Sequence, residues 1–400
     1  MPGASDKARF YLEQLVPELK EYEKKKIFSK SEISSITIKR SDFEHRINDR
    51  GSQPSDYARY AEYEMNLDTL RKKRIKRLGV KSAAHTGQRR IFFILDRATR
   101  KFHGDISLWM QYIEYARKQR AHKKVSQIFT DALRLHPTQV ELWICAGQYA
   151  LQEHGDITQA RAYMQRGLRF CKNSTSMWLQ YAKLELIYIY KICERQRILG
   201  LDKSKEPSST MNKSLGEPAI NGTPPPLTEE DVNPDLADDT ADQAALQTLS
   251  STPALSGAIP ITIFDAAMKQ FGNDIGVAET FYALAAEFER IPCLQRILSH
   301  ITNSMITNHP TNAAAQVCHI KCAVAGINPT SPEFPRALST SLKRIREYMT
   351  EGNRDIKELA HGLIEWLRSL LSTESLDPAL QKVIESTVWS TQSKIESSVV

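Results

Sequence analysis

The chain has 400 residues, of which 41% are hydrophobic, and it carries a formal net charge of +7. Six cysteines in a chain of this length do not make a disulfide framework, so we expect a reducing compartment such as the cytosol or the nucleus. We expect neither a secretory signal nor a membrane span. The first ten residues are polar at Asp6, Lys7 and Arg9, and no apolar run approaches the ~20 residues that cross a bilayer.

The charge is distributed unevenly along the chain. Residues 1–200 contain 38 Lys and Arg against 22 Asp and Glu, a net charge of +16, whereas residues 201–400 contain 16 against 25, a net charge of −9. A polyanion that faces the first half, or partners of opposite sign for the two halves, would account for this asymmetry. Solvated helix faces together with one acidic insertion would account for it as well.

The first 54 residues predict an N-terminal helical extension. An apolar stripe in the first helix is followed by Pro17, which suits the first turn of a second short helix. Ser29 and Glu32 have the spacing of a capping box, which predicts that a third helix starts there. We expect residues 1–54 to dock a partner through their apolar side chains. The candidate docking residues are Leu12, Leu15, Val16, Leu19, Ile33, Ile36 and Phe43.

A repeat follows the extension. Trp109, Trp143 and Trp178 are separated by 34 and 35 residues, and two further sets of apolar or small residues share those spacings. Large and small residues around each Trp recur at helical spacing, which predicts a helix A followed by an amphipathic helix B. A single helical hairpin cannot bury its apolar face, so we expect stacked hairpins with a continuous core. The predicted repeat-core residues are Tyr57, Tyr60, Trp109, Tyr112, Phe129, Trp143, Trp178 and Tyr181.

The repeat resembles the HAT (half-a-tetratricopeptide) family. The residues that carry the resemblance are the Trp-x-x-Tyr-Ala-x-x-Glu pattern at Trp178–Glu185 and the Ile-Phe-x-x-Ala-Leu pattern of a helix B at Ile128–Leu133. The resemblance implies an all-α, HAT/TPR-like helical-repeat solenoid, with N-terminal repeats over residues 55–200 and degenerate repeats over residues 261–400. HAT proteins occur in RNA-processing complexes, usually as protein scaffolds.

The N-terminal opening narrows the resemblance. Its segments Leu15–Leu19, Ile27–Ile33, Arg40–Glu44, Tyr57–Glu64 and Leu67–Arg74 are similar to the U3 small nucleolar RNA-associated HAT subunit family of the small-subunit processome. This resemblance implies a non-catalytic subunit of the UTP-B module, with β-propeller proteins as partners. It also implies early 18S pre-rRNA processing in the nucleolus, alongside the U3 snoRNP and the 5′ external transcribed spacer. A HAT scaffold of mRNA splicing or 3′-end processing is the alternative.

A dense basic run lies between the extension and the central tryptophans. Such a run could neutralise RNA phosphates, act as a nuclear import signal, meet an acidic protein, or form a solvated helix face. The sequence lacks an interleaved aromatic platform and any RNP, KH or zinc-finger pattern, so we expect no base-specific recognition. The candidate residues for contact with RNA or an acidic partner are Arg71, Lys72, Lys73, Arg74, Lys76, Arg77, Arg89 and Arg90.

Residues 201–260 differ in composition from both flanks. They include three consecutive prolines and many Ser and Thr, and residues 203–257 contain nine acidic and three basic residues. A segment of this composition buries too little apolar surface to offset its ordering entropy. We therefore predict a disordered acidic insertion, which serves as a spacer or carries a docking motif.

The sequence offers no pattern typical of catalysis. Cys318 and Cys322 lie four residues apart, but a closed zinc site needs about four ligands and no second pair has a suitable spacing. We therefore interpret them as small buried thiols. A nucleophile elbow, a P-loop and a dinucleotide fingerprint are all missing. We expect no enzymatic activity, no metal, no cofactor, no small-molecule substrate and no membrane contact.

Overall fold

A computed structural model of the protein describes residues 4–80, 85–198, 255–349, 356–372 and 376–397, and every regular element within these ranges is an α-helix. The described part of the chain is therefore all-α, as predicted. It falls into two compact units, Met1–Trp143 and Ile144–Val400. The boundary lies inside a helix, in the middle of the block predicted as N-terminal repeats.

The helices of the first unit cover the predicted extension and the first repeats. They are α1 (Ala4–Glu13), α2 (Val16–Lys24), α3 (Lys30–Asn48), α4 (Pro54–Leu78), α5 (Thr86–Lys101), α6 (Ile106–Lys118) and α7 (His122–Leu135). Helix α8 (Val140–Gln152) contains the boundary. Within the first unit, α1 packs on α3, α3 on α4, α4 on α5, and α6 on α7. The helices of the predicted extension thus share one unit with α4 to α7, which lie in the region predicted as repeats.

The described helices of the second unit continue to the C-terminal part of the chain. They are α9 (Ile157–Phe170), α10 (Thr175–Ile198), α11 (Ala258–Gln270), α12 (Ile275–Ala286), α13 (Leu294–Asn308), α14 (Ala313–Cys322), α15 (Phe334–Tyr348), α16 (Ile356–Leu371) and α17 (Pro378–Ser397). Each α-helix from α12 to α14 packs on the next, and α16 packs on α14 and α17.

The predicted start signals are found at the helix termini. Pro17 lies in the first turn of α2. At α3, the Glu32 amide donates to Ser29 Oγ at 3.2 Å, and the Ser29 amide donates to the Glu32 carboxylate at 2.8 Å. This reciprocal pairing confirms the predicted capping box and satisfies two amides that the helix itself leaves unpaired.

A side-chain hydrogen bond recurs with the repeat. The indole nitrogens of Trp109, Trp143 and Trp178 each donate to the backbone carbonyl six residues earlier, at 3.0, 2.8 and 2.9 Å. In the second unit, Gln316 donates in the same way to the carbonyl of Pro310, also six residues earlier, at 2.9 Å. Each bond ties a helix to the turn that precedes it. Gln316 therefore marks an equivalent position that the tryptophan spacing does not reveal.

Most of the predicted repeat-core residues are buried. Seven of the eight are between 1% and 6% exposed, and Trp178 alone is half-buried. Aromatic side chains of this kind remove ~150–250 Å² each from water, so they dominate the apolar burial of the hairpins. Trp178 keeps its hydrogen bond but contributes less burial than predicted.

The C-terminal helices of the second unit form two apolar clusters. Leu363 of α16 lies in the cluster that joins α14, α15 and α16. Phe334 of α15 and Ile384 of α17 lie in the next cluster, and Trp366 packs against both clusters. Trp389 of α17 is 74% exposed and belongs to neither core.

The predicted insertion, residues 201–260, lies outside the described residues up to position 254. Helix α11 begins at Ala258, so the last three residues of the predicted insertion belong to a helix instead. Pro260 is buried in the first turn of α11, where the missing amide of proline costs no helical hydrogen bond.

Candidate nucleic-acid interface

The predicted basic run forms the last turns of α4. This helix begins at Pro54, with a capping box between Gln53 and Asp56, and ends at Gly79, whose φ of 65° stops it in the left-handed conformation. Consecutive residues of an α-helix point in directions about 100° apart. A continuous basic run therefore places its cations on all sides of α4, including the side that packs on α5.

Arg71 lies on the buried side of α4. Its side chain is 2% exposed and donates from Nε and Nη2 to Oδ1 of Asp68, at 3.0 and 2.7 Å. Lys72 Nζ lies 2.8 Å from the other oxygen of the same carboxylate. A Cβ atom on Gly87 of α5 would lie 2.2 Å from Asp68 Oδ1, so only glycine leaves room for this carboxylate. Arg71 thus belongs to the α4–α5 contact.

Arg90 of α5 is buried in a second set of ion pairs. Its guanidinium pairs with Glu18 of α2 and lies 4.0 Å from Oε1 of Glu64 on α4. Arg40 of α3 donates two hydrogen bonds to Glu64, at 2.7 and 2.9 Å. None of these four side chains is more than 9% exposed, so two bases and two acids balance each other away from water. Such pairing offsets the cost of burying isolated charges.

The network shifts the pKa values of Tyr22 and Arg40. Burial raises the pKa of the Tyr22 hydroxyl, and the neighbouring Glu18 carboxylate raises it further. The Tyr22 hydroxyl therefore remains a donor, and it donates to Glu18. Burial by itself would lower the pKa of Arg40, but the Glu64 carboxylate outweighs burial and raises it. The charged network consequently links α2, α3, α4 and α5.

Arg74 forms hydrogen bonds with the turn between α2 and α3 and with the first turn of α3. It donates to the Glu32 carboxylate at 2.7 and 2.8 Å and to the Ile27 carbonyl at 3.1 Å. Its guanidinium also lies over the Phe28 ring, 4.9 Å from the ring centroid. The hydrogen bond from Arg74, followed by that from the Ser29 amide, lowers the pKa of Glu32 to about 2. Arg74 therefore fastens α4 to the start of α3.

The structure corrects the predicted set of contact residues. Arg71 and Arg90 are buried in ion pairs, and Arg74 is half-buried against Glu32, so these three do not offer a cation to a phosphate. The spacing of Asp68 before Arg71 could have signalled the first pair, because residues three apart meet on a helix. Arg90 has no such local signal. The remaining predicted residues, Lys72, Lys73, Lys76, Arg77 and Arg89, are exposed.

The predicted docking residues serve mainly as internal packing. Ile36 is 6% exposed, and Leu19 and Ile33 pack against the same apolar cluster. The Phe43 ring stacks on Tyr60 of α4, with 5.0 Å between the ring centroids. Ile36 is therefore covered within the first unit and is not free to meet a partner, whereas Leu19, Ile33 and Phe43 are half-buried and stay predictions. Of the others, Leu12 and Leu15 are half-buried, and Val16 is 42% exposed.

The second unit contains a pair with the geometry of Arg40 and Glu64. Arg161 donates from Nε and Nη2 to the two carboxylate oxygens of Glu185, at 2.7 and 2.8 Å. The sequence separation is 24 residues in both pairs. Glu64 and Glu185 are the final residues of the Tyr/Trp patterns noted in the sequence. The glutamate of the pattern therefore receives an arginine from the preceding helix.

The two pairs differ in their access to water. The Arg40 side chain is 2% exposed, whereas the Arg161 side chain is 27% exposed. Water can therefore solvate part of the second guanidinium but not the first.

Groups suited to metal binding are not assembled in the described ranges. No three His, Cys, Asp or Glu side chains there could together hold a metal ion, and no described helix is long and apolar enough to cross a membrane. Cys318 and Cys322 are buried on α14, and burial raises the pKa of the Cys318 thiol to about 12. A thiol of that pKa stays protonated at neutral pH, so it is a poor nucleophile and a poor metal ligand.

Comparison with known proteins points to one family. Residues 12–95 match the family model described as U3 small nucleolar RNA-associated protein 6. The Schizosaccharomyces pombe protein of that name is 37% identical over 212 residues, which are 52% of this chain and 43% of the relative. The Homo sapiens homolog is 29% identical over 185 residues, 45% of this chain and 31% of the relative. The Dictyostelium discoideum homolog is 24% identical over 356 residues, 86% of this chain and 57% of the relative.

The matched segment coincides with the charged network. It begins in α1 and ends in α5, and it contains Glu18, Arg40, Glu64 and Arg90. The aligned regions cover between 31% and 57% of the three relatives. The chain is therefore similar in sequence to the U3 small nucleolar RNA-associated protein 6 family, whose family model matches residues 12–95.

Proposed function

We propose that this chain is a U3 small nucleolar RNA-associated protein that acts in ribosome biogenesis. The match of residues 12–95 to the model of that family carries this proposal. The relatives are named for their association with U3 small nucleolar RNA. The chain would accordingly act in the nucleus, in the nucleolus, as part of the small-subunit processome.

The role within that assembly is a non-catalytic scaffold subunit of the UTP-B module. It would support early 18S pre-rRNA processing and small-subunit assembly by holding β-propeller subunits, with contacts to the 5′ external transcribed spacer or the U3 snoRNP. The recurring tryptophan–carbonyl bond and the 34- and 35-residue spacings favour a HAT-type repeat array for this purpose. Arrays of stacked helical hairpins present extended surfaces that suit protein scaffolds.

The experiment is an affinity purification of the tagged chain from nuclear extract, with protein mass spectrometry and sequencing of the RNA that co-purifies. Propeller proteins together with U3 RNA and 5′ external transcribed spacer RNA are the expected result. Recovery of splicing or 3′-end factors without pre-ribosomal RNA would refute the assignment to the processome and would favour the alternative family of HAT scaffolds.

A further inference from the structure

A basic groove of about 610 Å³ lies in the first unit, between the turn that joins α2 to α3 and the last turns of α4. Lys26 and Lys30 line one wall, Arg77 lines the other, and all three are exposed. Clefts of ~300–1,000 Å³ are of the size that proteins use for ligands. Arg77 belongs to the basic run that predicts RNA contact, whereas the two lysines lie more than 40 residues before it in the chain.

The acidic groups of this groove are already engaged, which leaves its cations in excess. Four cationic and two acidic side chains line it, a net charge of +2. The Glu32 carboxylate is bonded to Arg74 and to the Ser29 amide. Glu23 lies 3.5 Å from Lys30, and both side chains are largely exposed. An exposed ion pair of this kind is weak, so a phosphate can replace Glu23 as the partner of Lys30.

The two walls are held in place without a ligand. Arg74 fastens the Ile27 carbonyl and Glu32 to α4, as described above. The backbone at Lys26 has a φ of 54°, and its amide donates to the Glu23 carbonyl at 3.0 Å. Arg74 is therefore a positioning residue, and the exposed cations surround a preformed groove.

The groove also has apolar surface beside its cations. Leu78 lines the groove and is 48% exposed, and the buried residues Ile27 and Phe28 line it as well. Single-stranded RNA offers phosphates for the three cations and unstacked base faces for the apolar side chain of Leu78. An acidic peptide would satisfy the cations but leave this apolar surface uncovered.

We propose that this groove binds the backbone of single-stranded RNA through Lys26, Lys30 and Arg77, without reading its base sequence. This inference rests on the proposed function, because a subunit of an RNA-processing assembly would meet single-stranded RNA at this groove. Each lysine or arginine that neutralises a phosphate releases counterions, and log K for single strands falls with log[salt] by ~0.7 per contact. Three contacts therefore correspond to a slope of about −2.

The test uses the full chain and fluorescence anisotropy with a labelled oligouridylate, titrated between about 50 and about 200 mM salt. The triple variant K26Q K30Q R77Q should lose about 2 from the magnitude of the salt slope and bind at least about tenfold more weakly at the lowest salt. The matched control is R9Q K118Q K123Q, which removes the same charge from exposed positions of the first unit. Both triple variants must show the circular dichroism and thermal midpoint of the parent chain.

Three outcomes would overturn the proposal. The first is that the parent chain does not bind the oligonucleotide. The second is that the control variant reduces the salt slope as much as the groove variant does. The third is that polyglutamate displaces the RNA at equal charge concentration. The last outcome would assign the groove to an acidic protein. Purification of U3 RNA with the tagged parent chain reports separately on the proposed function. Absence of U3 RNA from that purification, while the parent chain still binds the oligonucleotide in the anisotropy assay, would refute the processome role and leave the RNA-binding proposal for the groove standing.

Discussion

Replacing Glu64 by glutamine keeps the size of the side chain and removes its charge. Arg40 and Arg90 would then share a single buried acid, Glu18, where two acids now balance two bases. Removal of one partner from a buried ion pair costs about 3–5 kcal/mol, because the other charge stays away from water. We expect a loss of that size in the local free energy of unfolding of α3 and α4.

The second unit provides a matched control for this prediction. Glu185→Gln breaks a pair with the same donors, the same acceptors and the same sequence separation. Because Arg161 is 27% exposed, water can solvate its guanidinium after the change. We expect a smaller loss, about 1.5–3 kcal/mol, which is typical for a hydrogen bond to a charged group.

The measurement is native-state hydrogen exchange followed by mass spectrometry, which reports each unit separately. A single global midpoint would be inadequate, because two units need not unfold together. Exchange in peptides from α3 and α4 measures Glu64→Gln, and exchange in peptides from α9 and α10 measures Glu185→Gln. A cost below about 1 kcal/mol for Glu64→Gln, or equal costs for both variants, would refute the argument from burial.

The other predictions concern packing, the repeat and pH. Gly87→Ala should lower the free energy of unfolding by about 1–3 kcal/mol, because the added Cβ would lie 2.2 Å from Asp68 Oδ1. Denaturant unfolding measures this loss. Gly104→Ala is the control, because a Cβ there would have no atom within 4 Å. Trp143→Phe should lower the free energy of unfolding by about 0.5–1.5 kcal/mol, because the indole N–H that donates to the Pro137 carbonyl is lost. Trp143→Ala should lower it by about 3–5 kcal/mol, because the large side chain is lost from the core. Unchanged thermal unfolding of the alanine variant would contradict a stacked core. The pKa of Glu32 is lowered from 4.5 to about 2 in the folded protein. The ionised carboxylate therefore stabilises the fold fully above pH 4.5, and this contribution is lost as the pH falls towards 2. Amide exchange at the start of α3 should therefore rise over that range, and Glu32→Gln should remove the pH dependence.

The local signals of the sequence correctly predicted several features of the helices. Pro17 and the Ser29–Glu32 capping box act on backbone amides within one turn, so their effect does not depend on the rest of the fold. The 34- and 35-residue spacings of the three tryptophans likewise predicted that their side chains occupy equivalent positions. The structure shows what these positions share, a hydrogen bond from each indole to a carbonyl six residues earlier.

The charged residues were less predictable because their partners are distant in the chain. Arg90 pairs with Glu18 across 72 residues and Arg40 with Glu64 across 24, and no local pattern links the members of either pair. The apolar residues Leu19, Ile36 and Phe43 also pack on α4 or neighbouring N-terminal helices, and only the folded unit brings these contacts together.

The sequence by itself determined where helices begin, because proline and capping signals act between residues a few positions apart. Tertiary structure decided which cations face water. A helix turns through about 100° per residue, so a continuous basic run must place some cations against a neighbouring helix and others in solvent. Arg71 and Arg77 stand six residues apart in one run, yet the first is 2% exposed within an ion pair and the second lines an open groove. Helix packing makes that division, because it covers one side of α4 and leaves the other side in solvent.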